Sequence, residues 1–254
     1  RREAARPSFG PRPAEDLLMD VTSFSPSLLA AAFGVGVVHT LLGPDHYLPF
    51  IMLAKARGWS RLRTVAVTSI CGLGHVVSSV ILGGFGIAFG VAVGQLEWAE
   101  SSRGPLAAWA LVAFGVAYAL WGFRHALRRR KGIEAHVHGD DVHIHNHGLL
   151  PHGHDHNKIG ANTTFWTLFI VFVLGPCEPL IPLFAVPASQ GRWDVALATA
   201  TVFAIATLVS MVGATLVGLQ GLKMLNLGPL ERWSHVLAGC VIAAAGLSVI
   251  YLGL

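Results

Sequence analysis

Between Leu28 and Ala54 the chain runs apolar for long enough to cross a bilayer, yet that run contains His39, Pro44, Asp45, His46 and Pro49. An acidic side chain at the centre of a membrane helix costs roughly 2.5–3.5 kcal/mol. A proline there removes a helix hydrogen bond and clashes with the preceding turn. Two histidines, an aspartate and two prolines in one such run do not describe a plain anchor. The stretch reads as a site, and the rest of the chain as what holds that site in a membrane and completes it.

Six apolar segments of about 20 residues or more lie near 27–54, 64–93, 105–125, 163–187, 194–219 and 232–253. Of the 254 residues, 53% are hydrophobic and 13% charged, against about 25% charged in a soluble domain. The fold class this implies is an all-α integral membrane protein with six transmembrane helices. The net charge of +4 does not argue for nucleic acid, because the 18 Lys and Arg gather in a few loops. Cys71, Cys177 and Cys240 each sit in an apolar run and form no secreted-type disulfide framework. Gly86, Gly90 and Gly94, four residues apart, read as one helix face for close packing. Ser78, Ser79 and Thr207 read as ordinary membrane-helix residues, and His125 and His235 as interfacial.

Residues 1–26 are polar, with Pro7, Pro11 and Pro13, and read as a mobile tail that includes a short amphipathic piece near Asp16–Met19. Twelve of the 18 Lys and Arg fall in the connections after the first, third and fifth segments. The positive-inside rule then makes those connections cytoplasmic and puts both termini outside. The expected address is a bacterial inner membrane.

An internal repeat divides the chain. Leu42-Gly43-Pro44-Asp45-His46 aligns with Leu174-Gly175-Pro176-Cys177-Glu178 at a shift of 132 positions, and the Gly115–Gly122 stretch aligns with Gly246–Gly253 at 131. Residues 27–125 and 163–254 then form two halves of three helices each. An odd number of spans per half forces opposite orientations, so the plan is a 3+3 inverted repeat with Gly-Pro breaks in helices 1 and 4. Between the halves, residues 126–162 carry His136, His138, His143, His145, His147, His152, His154 and His156 among Asp140, Asp141 and Asp155. Such a tract cannot form a core. It reads as a multi-site metal-binding loop, and with no cysteine in it, not as a structural zinc site.

Imidazole and carboxylate suit divalent first-row metals. On an unbroken helix His39 and His46 would be about 10 Å apart along the axis and could not share an ion. A break at Gly43-Pro44 changes direction and can bring His39 towards Asp45 and His46. Pro44 fits the first position of a new half-helix, placing Asp45 in its positive N-terminal turn, and Pro176 does the same for Cys177 and Glu178. Candidate ligands are therefore His39, Asp45, His46 and Glu178. His75 in the second helix is a further one, and Cys177 is either a soft ligand or a small buried hydrophobe. Glu178 is favoured on the ground that a carboxylate buried at membrane depth needs a partner.

At these residues the chain resembles the nickel/cobalt transporter superfamily, nearest to its NicO and UreH-like (urease-accessory transmembrane) branch. The resemblance rests on His39 with Asp45-His46, Leu73-Gly74-His75, Gly175-Pro176-Cys177-Glu178-Pro179 and the histidine-rich loop, and it covers residues 27–254. It implies a metal permease whose first-helix histidines and aspartate bind the ion together with His75. The chain departs from the better-known nickel/cobalt permeases in having five residues, Thr40 to Pro44, between the first histidine and the Asp-His pair, where those have four. It also has six spans where those usually have eight.

The expectation is gradient-driven transport of a divalent transition metal, nickel or cobalt first and zinc next, with no prosthetic group and no enzymatic activity. Expected partners are the ion, the lipid bilayer, a metal-delivery or enzyme-maturation protein and a second copy of the chain. No Gly-rich Lys-Ser/Thr phosphate loop occurs. Three other readings compete. A thiol–disulfide electron carrier needs a cysteine in each half, and the repeat position of Cys177 is Asp45. An exporter of sulfite or small organic acids would use the half-helix N-termini, but Asp45 and Glu178 sit there and repel anions. A membrane scaffold that hands metal to a maturation partner would share the ligands without moving ions across.

Overall fold

The computed structural model describes residues 14–131, 156–224 and 228–252, and side chains within 26–127, 162–224 and 231–252. Among these residues every element is helical. In chain order they are α1 (Ala14–Leu42), a 3-10 turn (Pro44–His46), α2 (Leu48–Ala56), α3 (Arg61–Ala88) and α4 (Val93–Lys131). Then come α5 (His156–Leu174), α6 (Leu180–Ser189), α7 (Trp193–Met224), a second 3-10 turn (Gly228–Trp233) and α8 (Ser234–Leu252).

By length and composition α3, α4, α7 and the stretch Glu231–Leu252 can each cross a membrane. A fifth span arises if α1 and α2 are taken together across their 84° bend. α5 and α6 are apolar but shorter. The exposed side chains agree with a lipid surround, since Phe33, Ile70, Phe85, Leu120, Ile205 and Val217 are all more than half exposed or close to it. The chain is a membrane-embedded helical protein.

Three boundaries differ from expectation. The reading of residues 1–26 as a tail fails from Ala14 onwards, because α1 begins there and accommodates Pro26 inside the helix; residues 1–13 lie outside the described residues. α4 begins at Val93 instead of near residue 105, so Glu97, Glu100 and Arg103 belong to a helix and not to a connection. α3 stops at Ala88, so the Gly86, Gly90 and Gly94 spacing is not one helix face. Gly90 adopts φ +72 and turns the chain, a conformation that glycine tolerates best, while Gly86 packs on Leu96. The histidine-rich loop lies outside the described residues from His136 to His154, and so does the side chain of His156.

Local chemistry accounts for the starts and stops. Ser60 caps α3, its Oγ accepting from the Arg63 amide at 3.2 Å, just after Gly58 turns the chain at φ +61. Helix pairing follows small residues, as it does where lipid removes any hydrophobic drive between helices. α4 lies along α8, α1 along α7, and α3 against α5, α6 and α7, while α2 packs on α7 and α8. At the α4–α8 crossing a side chain on Gly115 or Gly239 would strike the backbone of the opposite helix. Phe50, Leu53, Met211, Leu219 and Ile242 fill one end of the interior, and Phe184, Phe203, Leu180 and Val76 the other.

Candidate metal centre

The first break forms as its residues require. α1 ends at Leu42, Gly43 is extended at φ −82 and ψ 98, and Pro44 opens a single 3-10 turn. The Gly43 amide donates to the His39 carbonyl at 3.1 Å, and the His46 amide donates to the Gly43 carbonyl at 3.1 Å. The chain then re-enters helix at Leu48, turned by 84°. That turn brings together two histidines that a straight helix would hold about 10 Å apart. The His39 and His46 ring centroids lie 4.7 Å from each other.

His75 joins them from the middle of α3, with its ring 5.2 Å from His46 and 6.5 Å from His39. His46 and His75 are almost fully buried, and each is held at Nδ1. His75 Nδ1 donates to the Phe172 carbonyl at 3.3 Å. A carbonyl only accepts, so the proton sits on Nδ1 and the Nε2 lone pair is left free. His46 Nδ1 lies 3.0 Å from Asp45 Oδ1 and 3.2 Å from the Gly43 carbonyl, which makes the same tautomer. Asp45 therefore sits behind His46 and orients it, in the manner of a carboxylate that supports a metal-bound imidazole. The Nε2 atoms of His39, His46 and His75 are buried and have no hydrogen-bond partner among the described residues.

Cys177 is fully buried beside this group. One ligand atom from each of His39, His75 and Cys177 lies within 4.8 Å of the others. Its place fits both readings of Cys177, soft ligand and small hydrophobe: it groups with two imidazoles and packs in the apolar cluster with Val76, Leu180 and Phe184. Glu178 differs from its expected setting. It is exposed and lines the same cavity of about 450 Å³ as His39, Asp45, His46 and His75. Of the two neighbours after Pro176, Cys177 is buried in the protein and Glu178 faces the cavity. Among the described residues the fully buried carboxylate is Glu100, 0% exposed on α4.

Glu100 and Arg103 are the residues that sequence reasoning missed. Arg103 Nη1 donates to Glu100 Oε2 at 2.7 Å, and Ser79 Oγ donates to Glu100 Oε1. Their three-residue spacing in a weakly charged chain was the available signal, obscured because the stretch read as a connection. Ser78 and Ser79, taken as ordinary helix residues, bind this pair. His125 stacks on Trp121, His235 meets the same ring edge-on, and His235 Nδ1 lies 2.9 Å from the Tyr118 hydroxyl.

Three imidazoles therefore line one cavity, with an aspartate behind one of them, and the buried Cys177 thiol groups with two of them, His39 and His75. Such a set suits borderline and soft divalent metals over magnesium or calcium. Comparison of the chain with protein-family models, curated proteins and solved structures returns no match.

Proposed function

We propose that the chain is a permease for a divalent transition-metal ion, nickel or cobalt first, of the kind the NicO and UreH-like resemblance implies. The observation that carries this is the set of three buried Nε2 atoms without partners, two of them on rings tethered at Nδ1. Buried polar groups are normally satisfied, and three orphaned acceptors turned to one cavity call for a cation. The ion is the substrate. A tetrahedral ion with bonds of about 2.0–2.3 Å spaces its ligands roughly 3.5 Å apart, so binding draws the group inward from its present spacing.

Six spans in two inverted halves fit the way the helices adjoin. If α1–α2, α3 and α4 form one half and α5–α6, α7 and α8 the other, exchanging the halves maps several neighbour pairs onto others. α1 with α7 becomes α5 with α3, and α2 with α8 becomes α6 with α4. The exchange is incomplete, since α4 with α5 and α3 with α4 have no comparable counterparts; in this reading α5 and α6 make one broken span, as α1 and α2 do, and the two Gly-Pro breaks meet at the midplane. Rocking of one half against the other then exposes the ion to each side in turn. The histidine-rich loop collects or releases metal at the cytoplasmic face of an inner membrane, with both termini outside. Ligands must shed protons to bind metal, which offers a route for proton coupling.

Flux of Ni²⁺, Co²⁺, Zn²⁺ and Mn²⁺ into proteoliposomes, for the wild type and for His46→Ala, tests this. Saturable flux of one or two metals, lost in the variant, is expected. Metal binding without flux would make the chain a scaffold, and passage of sulfite with no metal flux would make it an anion exporter.

A further inference from the structure

The second helix break is held by side chains from a different helix. α5 ends at Leu174 and α6 begins at Leu180, so some backbone groups at the break lack helical partners. The Cys177 amide donates to Glu100 Oε1 at 2.9 Å. The Val173 carbonyl accepts from Arg103 Nη2. One ion pair on α4 thus takes up a free donor on one side of the break and a free acceptor on the other. Arg103 also donates to Ser78 Oγ at 3.1 Å, and Ser78 Oγ donates to the His75 carbonyl at 2.8 Å. The same turn of α4 presents Gly104 to Pro176, where an added Cβ would stand 3.3 Å from the ring. At the first break the matching carbonyl, Leu41, accepts only from the nearby Tyr47 hydroxyl at 3.4 Å. No borrowed ion pair is found there among the described residues.

Resting on the metal-site reading above, we propose that Glu100 and Arg103 are positioning residues that set the Cys177 thiol opposite the His75 imidazole and so give the site its soft, thiol-containing character. A fully buried carboxylate needs a strong partner, and Arg103 is that partner. A guanidinium can reach carboxylate, carbonyl and hydroxyl together because its donors fan out in a plane. The pair links the backbone of one grouped ligand, Cys177, to that of another, His75. Loosening it frees the thiol to turn away while the three histidines stay on α1, the 3-10 turn and α3.

The test is a Co²⁺ titration of the purified full chain in detergent, read by absorption. Variants are Glu100→Gln, Arg103→Lys, Cys177→Ser and the Glu100→Gln/Cys177→Ser double. Glu100→Gln keeps the volume but sets an amide donor against the guanidinium, and Arg103→Lys keeps the charge but loses the fan of donors. The wild type should give ligand-field bands together with a near-ultraviolet thiolate-to-Co²⁺ charge-transfer band, and Cys177→Ser should lose only the latter. Glu100→Gln and Arg103→Lys should lose most of the charge-transfer intensity and bind Co²⁺ about tenfold more weakly. In the Cys177→Ser background Glu100→Gln should weaken binding no further, the coupling expected of groups that act as a unit. A charge-transfer band that stays intact in both single variants, or equal losses of affinity in the two backgrounds, overturns the proposal. Co²⁺ binding by the wild type without that band overturns it too, while leaving the histidine site standing. A wild type that binds no Co²⁺ overturns the metal reading itself.

Discussion

Asp45 is the residue whose role changes most once the rings are placed. Its carboxylate lies on His46 Nδ1, 3.0 Å away, and so acts through the imidazole. Asp45→Asn keeps the shape and removes the charge, and loss of such a supporting carboxylate costs about 10–100-fold in metal affinity. Titration calorimetry should show that loss, with a strong fall in flux. Flux equal to wild type would remove Asp45 from the site. Cys177→Ser should discriminate among metals, weakening Ni²⁺, Co²⁺ and Zn²⁺ binding more than Mn²⁺, because a thiolate favours the softer ions. Competition assays read the ratio directly.

Among the elements, α4 and α8 approach each other backbone to backbone at Gly115 and Gly239. A Cβ at Gly239 would run into the Ala119 amide and the Gly115 carbonyl, neither of which can rotate away. Gly239→Val should therefore cost about 1–3 kcal/mol or more by overpacking and lower the melting temperature in detergent. Gly213 on α7 has nothing within 4 Å of an added Cβ. Gly213→Ala should leave the melting temperature unchanged or raise it, since glycine in a helix interior is itself unfavourable. A fall in both variants would mean that the loss is not specific to the α4–α8 contact.

For the whole molecule, α5 and α6 decide the architecture. The described apolar stretches Asn162–Leu174 and Leu180–Ser189 are short, and the six-span plan needs them as one broken span, where a re-entrant hairpin is the alternative. In a Cys240→Ser background, cysteines at His147 and Gln190 lie on opposite faces of the membrane in the first case and on one face in the second. An impermeant maleimide applied to intact cells should label Gln190→Cys alone and reach His147→Cys only after permeabilisation. Labelling of both from outside would end the six-span plan. Deleting 136–156 should alter apparent affinity or regulation in flux assays and leave maximal turnover near wild type, because the ligands of the cavity all lie outside that loop.

The membrane class, the helical fold, the break at Gly43-Pro44 and the histidines at 39, 46 and 75 were legible in the sequence. Apolar run length, the proline's missing donor and the cost of polar groups in lipid are local properties, carried by residues close together in the chain. Only tertiary structure decided which atoms face the cavity. The 84° bend sets His39 against His46, and the Phe172 carbonyl fixes the ring of His75 from 97 positions away. In the turn after Pro176, Cys177, whose amide bonds to Glu100 on α4, is buried, while Glu178 is exposed on the cavity wall. Sequence spacing marked both as equals. Which of two adjacent side chains is buried is settled by neighbours distant in the chain, and the one that receives the Cys177 amide, Glu100, lies 77 positions away on another helix.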